Sequence, residues 1–181
     1  MPHVAFVDLA DNTLLPLGPI GCTSPAGEDE NSCDIATDYS GMTYDAGRHR
    51  MYVFGGGHAS TMTDAVQSFD LQDTLEWSDL YEPTPCMDMV EGNVDTALGA
   101  WIDGPAGPYP RPVSAHTYDL VGVVPELDEF VLVGRAFTQG YCSSASNDIG
   151  GPVAHYDLAG NAWEFSADAS SGGFSNGLPG A

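Results

Sequence analysis

Lysine is absent from the chain, and four arginines stand against 26 acidic residues, for a formal net charge of −22. A surface this acidic repels phosphate backbones, so nucleic acid is excluded as a partner. Anionic membrane surfaces are disfavoured for the same reason. Two uses of the acids remain. They can form a solvated surface suited to saline or marine surroundings, where ions screen self-repulsion over about 3–10 Å, or one that collects cations and basic partners. No apolar run approaches the roughly 18 residues of a membrane span, and helical periodicity is hardly visible. The N-terminal Met1-Pro2-His3-Val4-Ala5-Phe6 has neither the basic region nor the apolar core of a signal peptide. No CxxC spacing occurs and the histidines are scattered, which argues against zinc.

The apolar content of 43% suffices for a core, and 22 glycines with 13 prolines put short strands between turns. These features predict an all-β fold. Internal repetition sharpens it. Tyr44-Asp45 is followed by the polar turn Ala46-Gly47-Arg48-His49, then Arg50-Met51-Tyr52-Val53-Phe54 running into Gly55-Gly56-Gly57-His58. The same grammar returns as Thr117-Tyr118-Asp119-Leu120 and Val124-Pro125-Glu126-Leu127-Asp128-Glu129-Phe130-Val131-Leu132-Val133-Gly134. A second signature recurs as Val7-Asp8-Leu9, Phe69-Asp70-Leu71 and Tyr156-Asp157-Leu158, each followed by a turn and a large apolar residue, Leu15, Trp77 and Trp163.

Combined, one unit reads as four antiparallel strands: an opening strand, a strand ending in glycine, a strand ending in Asp-Leu and a tryptophan strand. That order resembles the kelch repeat of galactose-oxidase-like β-propellers, and it implies four-stranded blades with the tryptophans wedged between them. The repeat here is longer than the usual period of about 50 residues, so the blades carry large loop insertions. Gly134-Arg135 stands where a glycine pair is expected. A β-sandwich with coincidental hairpins is the alternative fold.

The resemblance divides the chain into about two and a half blades. Residues 3–17 match the C-terminal half of a blade, 38–81 and 112–166 are full blades, and 177–181 match the start of another. Propellers close with about four to eight blades, so the expectation is a partial propeller completed by further blades. An oligomeric propeller of short chains is the competing arrangement.

The four cysteines, Cys22, Cys33, Cys86 and Cys142, fall outside the predicted strands. An even number in loops suggests disulfides and an oxidising compartment. Cys22 and Cys33 flank a polar segment whose closure would contribute roughly 3 kcal/mol. The connectivity stays open. The expected location is secreted, periplasmic or extracellular, with a signal sequence upstream of this segment.

In a four-stranded blade the loop between strands two and three and the link to the next blade emerge on one face. The long segments 18–37, 82–111 and 134–150, the glycine loop and all four cysteines therefore share one rim, where binding and catalysis concentrate. His58 follows three glycines and could bind a metal with Asp64 or act as a base; a loop-capping role is the alternative. His116 is expected buried in an innermost strand, and His155 structural within its strand. Asp8, Asp70 and Asp157 recur at one repeat position, where a carboxylate caps the following turn. Calcium could be held by Glu28, Asp29, Glu30 and Asp34, or by Asp88, Glu91, Asn93 and Asp95. Neither run has the order of an EF-hand. Tyr81, Trp101, Tyr109, Phe137 and Tyr141 could stack on sugar rings, or pack on their own scaffold.

The resemblance to galactose oxidase also raises a copper radical site, which needs two tyrosines and two histidines. That set does not map onto these residues, and copper is not expected within the segment. The leading expectation is a kelch-type propeller segment of a bacterial-style exported protein, binding a protein or carbohydrate through its loop-rich face. The alternative is part of an oxidase or other propeller enzyme whose catalytic residues lie largely elsewhere. Fold alone decides neither.

Overall fold

A computed structural model describes residues 22–23, 40–55, 63–104, 108–134, 136–138 and 151–166. The regular structure of these residues is strand apart from two single-turn 3-10 segments, as the composition predicts. Strand β1 covers Cys22–Thr23, β2 Gly41–Asp45, β3 Arg50–Phe54, β4 Gln67–Asp70 and β5 Trp77–Asp79. Strands β2 to β5 form an antiparallel meander, and β1 adds to β5 in parallel, with Cys22 opposite Trp77. Cys22 therefore sits in a strand rather than in a loop, because β5 offers it a free edge.

The chain then builds a small sheet of β6 (Val94–Asp95), β7 (Ala100–Trp101) and β8 (Arg111–Pro112). Two single-turn 3-10 segments precede it, Cys86–Asp88 and Glu91–Asn93. Next come β9 (Ala115–His116), β10 (Val121–Val124), β11 (Glu129–Leu132), β12 (Ala136–Thr138), β13 (Ala154–Asp157) and β14 (Ala162–Phe165). Strands β10, β11, β13 and β14 make a second antiparallel meander, while β9 pairs with β12. Neither meander closes on itself among the described residues. No helix among them is long and apolar enough to cross a membrane.

The second meander opens five residues later than the sequence grammar suggests. Tyr118-Asp119 was matched to Tyr44-Asp45, yet Tyr118 has φ +46° and lies in a turn. The true counterpart of the Asp45–Arg50 pair is Val124–Glu129. His116 likewise falls in β9, outside the second meander, although it is buried as expected.

With this register the two meanders superpose residue by residue. Arg50 pairs with Asp70 as Glu129 pairs with Asp157, and Phe69 pairs with Trp77 as Tyr156 pairs with Trp163. The left-handed residues coincide too: His49 and Asp128 precede the second strands, and Leu75 and Asn161 stand two before the tryptophans. The turns are the same chemical device. Asp70 Oδ1 accepts the N–H groups of Gln72 and Asp73, and Asp157 Oδ1 those of Ala159 and Gly160. That is the capping role expected of the repeated Asp; Asp8 lies outside the described residues. Asp45 does the same for Gly47 and Arg48.

Strand alternation gives each meander two faces. On β3, Tyr52 and Phe54 face the second meander; Val53 faces away, with Phe69 and Trp77. On β11 the parity is reversed: Phe130 and Leu132, counterparts of Met51 and Val53, face the first meander together with Tyr156 and Trp163. The tryptophan face of one sheet thus lies on the opposite face of its neighbour. Phe54 meets Trp163 edge-on at 5.4 Å, and Tyr52 meets Phe130 at 6.2 Å. Trp163 lies between the two meanders. Trp77 packs on the outer face against Phe69, at 5.3 Å.

At one end Arg48, from the β2–β3 turn, pairs with Asp128, from the β10–β11 turn. Both are partly exposed, so the pair contributes under about 1 kcal/mol, whereas burying one large apolar side chain gives about 2–3 kcal/mol. Packing decides the junction. At the other end Thr117 accepts the Gly41 N–H at 2.8 Å and donates to the Phe54 carbonyl at 2.9 Å. Two glycines make room for this crossing. A Cβ at Gly41 would fall 1.6 Å from the Tyr118 carbonyl oxygen, and one at Gly55 2.1 Å from that of Ala115. Gly55 also has φ +75°. The glycine end of the second strand is therefore where the linker crosses the sheet.

Gly55→Ala is expected to lower stability by about 2 kcal/mol or more, from backbone strain and the clash together. Gly92, where a Cβ meets nothing within 4 Å, should tolerate alanine within about 0.5 kcal/mol. Urea unfolding of both variants checks the contrast, and equal losses would contradict it.

The turn aspartates give a pH prediction. At Asp45 burial pushes the carboxyl upward, but the Arg48 side chain and the turn N–H groups outweigh it and hold it below its usual range. At Asp70 burial is again outweighed, by the N–H groups of Asp73 and Gln72 and the charge of Arg50. At Asp157 the Gly160 and Ala159 N–H groups lower it. A carboxyl depressed on folding stabilises above its unfolded value, and that contribution is lost as pH falls through the folded one. Urea midpoints should fall as pH drops below about 4. Replacing all three with asparagine, which still accepts the turn N–H groups, should flatten the fall.

Candidate functional site

Polar side chains concentrate where the β3–β4 loop meets the linker between the meanders. The β2–β3 and β4–β5 turns lie at the other end, where the Leu71 N–H bonds the His49 carbonyl at 2.9 Å. Among the described residues, the end of the β3–β4 loop and the linker that carries the small sheet therefore lie at the end opposite these turns; most of segments 18–37 and 134–150 lies outside the described residues.

At the centre of this rim is Arg111, fully buried on β8 between Pro110 and Pro112. Its Nε lies 2.9 Å from Asp64 Oδ2 and 2.9 Å from Thr84 Oγ1. Its Nη1 donates to the Glu82 carbonyl and Nη2 to the Tyr109 hydroxyl, both at 2.5 Å. The guanidinium stacks over the Tyr109 ring at 4.3 Å and the Tyr81 ring at 5.2 Å. Asp64 also accepts the Thr84 N–H at 2.7 Å and its hydroxyl at 2.6 Å. Tyr81 donates to the Asp64 carbonyl at 2.5 Å and accepts the Trp163 indole N–H at 2.9 Å. The network therefore joins both meanders to the small sheet.

Burial is the strongest influence on Asp64 and raises its carboxyl, opposed by the Arg111 charge and the Thr84 donors. The hydroxyl of Tyr81 is pushed well above its usual range, chiefly by burial and then by the neighbouring Asp64. Both groups are spent inside the protein. A cation at Asp64 would have to displace a guanidinium, so the expected His58–Asp64 metal pair loses its carboxylate. His58 lies outside the described residues. So do Cys33, Tyr141, Cys142 and the run from Glu28 to Asp34.

The rim aromatics are also corrected. Trp101 and Tyr81 are buried, and the Tyr109 hydroxyl and ring both serve Arg111. Trp101 packs with Met89 and Val113, with Val94 and Tyr109 beside them. Trp101 and Tyr81 present no face to a sugar, while Tyr109 is half-buried. Phe137 lies on β12, and Cys86 opens a 3-10 turn.

In the second calcium run, Asp95 caps the N–H groups of Ala97 and Leu98, and Asn93 Nδ2 donates to the Asp88 carbonyl. No group of three His, Cys, Asp or Glu residues suited to a metal occurs among the described residues. His116 Nδ1 lies 3.4 Å from the Tyr118 hydroxyl, and His155 Nδ1 2.9 Å from Glu129 Oε2. His155 is a strand residue with a neighbouring carboxylate, as expected of a structural role.

Arg111 is what sequence reasoning missed. Its signal was available: a scarce cation in the near-neutral stretch Gly107-Pro108-Tyr109-Pro110-Arg111-Pro112-Val113. The rim also exposes apolar groups. Met87 is 82% exposed, and Val90 and Ile102 are exposed beside the acids Asp88, Glu91 and Asp103.

Removing one member of a buried pair strands the other charge, so Arg111→Met and Asp64→Asn should each cost about 3–5 kcal/mol. The double variant should cost less than their sum, because it removes both charges. Urea unfolding measures all three; single losses under about 1 kcal/mol would show that the network is not structural. No protein-family model matches the chain, and no curated protein matches it.

Proposed function

We propose that the chain is a segment of a kelch-type β-propeller from an exported protein, and that it binds a protein partner through the insertion between its two meanders. Stacking of the tryptophan face on the opposite face of the neighbouring sheet supports the propeller. Such a contact is heterologous, and repeated heterologous contacts close into rings when the rotation allows. The four cysteines, as two disulfides, belong to the same proposal and suit an oxidising compartment.

The observation that carries the function is the exposed apolar set Met87, Val90 and Ile102 among the carboxylates Asp88, Glu91 and Asp103. A flexible methionine with two branched aliphatic side chains in an acidic frame fits a partner that is apolar and cationic. They do not supply the flat aromatic surface that a sugar ring wants; Tyr81 and Trp101 are buried, and the Tyr109 ring is stacked by Arg111. Protein is therefore favoured over carbohydrate.

A peptide of alternating leucine and lysine is a suitable probe, with cellohexaose as the glycan control. The peptide should bind, weaken at least about tenfold in Met87→Asp, and weaken again as salt is raised. Binding of the sugar, unaffected by Met87→Asp, would contradict the proposal.

A further inference from the structure

Asp103-Gly104 is the one Asp-Gly pair in the chain. Asp103 is exposed and Gly104 half-buried. Asp45, Asp70, Asp95 and Asp157 each accept N–H groups two and three residues on. The residues that follow them are Ala46, Leu71, Thr96 and Leu158. Asp103 differs on both counts. Its Oδ1 accepts the N–H of the very next residue, Gly104, at 2.8 Å, so the carboxyl is held beside that nitrogen. Glycine has no Cβ to shield the nitrogen from it. Gly104 in turn bears on the Arg111 network. A Cβ there would fall 1.9 Å from the Tyr109 hydroxyl oxygen and 2.5 Å from Cζ. That hydroxyl accepts Arg111 Nη2 at 2.5 Å and lies 3.1 Å from Thr84 Oγ1.

We propose that Asp103 is a site of succinimide formation and conversion to isoaspartate, and that the conversion loosens the Tyr109–Arg111 contact. The held geometry brings nucleophile and acyl carbon together within one chain. The Gly104 nitrogen bonds to Asp103 Cγ, and one carboxyl oxygen leaves as water with the amide proton and the carboxyl proton. Water then adds to the ring. Breaking the nitrogen–Cγ bond restores aspartate. Breaking the bond from nitrogen to the main-chain carbonyl carbon leaves isoaspartate, whose chain runs through Cβ and Cγ. The backbone before Gly104 is then longer by a methylene, and the Tyr109 hydroxyl stands where the displaced glycine would move. The site is independent of what the insertion binds.

Ageing of the intact chain in warm neutral buffer tests it, read by isoaspartyl methyltransferase labelling and peptide mapping. Isoaspartate should accumulate at residue 103 at least as fast in the folded chain as in the urea-unfolded one. It should not form at Asp119, which is also exposed but precedes Leu120. Asp103→Glu, at an exposed position, should abolish the signal. The aged chain should unfold at a lower urea midpoint, and the loss on ageing should shrink in Tyr109→Phe, which lacks the hydroxyl that Gly104 meets. Faster conversion in urea than in the folded chain would overturn the site, because the native geometry would then be protective. Equal conversion at Asp119 would overturn it too. An aged chain with an unchanged midpoint would overturn the link to Arg111.

Discussion

Trp163 packed edge-on to Phe54 fixes the relation between the two sheets, and most of the remaining structure serves that contact. For the ring to reach Phe54, the second meander must turn its tryptophan face toward the first, which reverses the parity of the second strands: Tyr52 and Phe54 on one side, Phe130 and Leu132 on the other. The linker must then cross the end of the first meander at close range, where Gly41 and Gly55 leave space and Thr117 bonds to both β2 and β3. Tyr81 holds the indole N–H from the side of the first meander.

Cations are scarce in this chain, and the described ones are placed where they join elements. Arg48 links the two leading turns, Arg50 ties β3 to β4 through Asp70, and Arg111 gathers Asp64, Thr84, Glu82 and Tyr109. Arg111 differs from the others in being fully buried. Burying a charged pair costs several kcal/mol per ion, and only close geometry with every donor satisfied offsets it. What the pair supplies is a defined meeting point for the β3–β4 loop and the linker, in a region with little other regular structure. Among the described acids, Glu91 and Asp103 are exposed and give the insertion its acidic character.

Strands and turns were legible because they rest on local rules. The Asp caps at Asp70 and Asp157 need only the two following N–H groups, and the glycine at position 55 meets one local demand, a left-handed backbone, besides leaving room for the linker. Trp163 as a contact between two sheets was legible from its spacing after Tyr156-Asp157-Leu158. The second opening strand was misread because Tyr118-Asp119 copies the letters of Tyr44-Asp45, while the pairing follows Val121–Val124, whose apolar alternation fits the core. The site was largely hidden. Trp101 looks like a rim aromatic in sequence, yet its burial depends on Met89 and Val113 arriving from other segments, and the Tyr109 ring is taken up by Arg111 two residues on. Asp64 meets Arg111 only after the linker has folded back.

The stacking of one sheet's tryptophan face on its neighbour's opposite face is tested most directly by nuclear Overhauser contacts of the Trp163 indole in solution. The indole N–H should show contacts to the ring of Tyr81, and the ring protons to those of Phe54, with Trp77 in contact with Phe69 instead. Contacts between the two tryptophans, or an indole of Trp163 exposed to solvent, would contradict the arrangement.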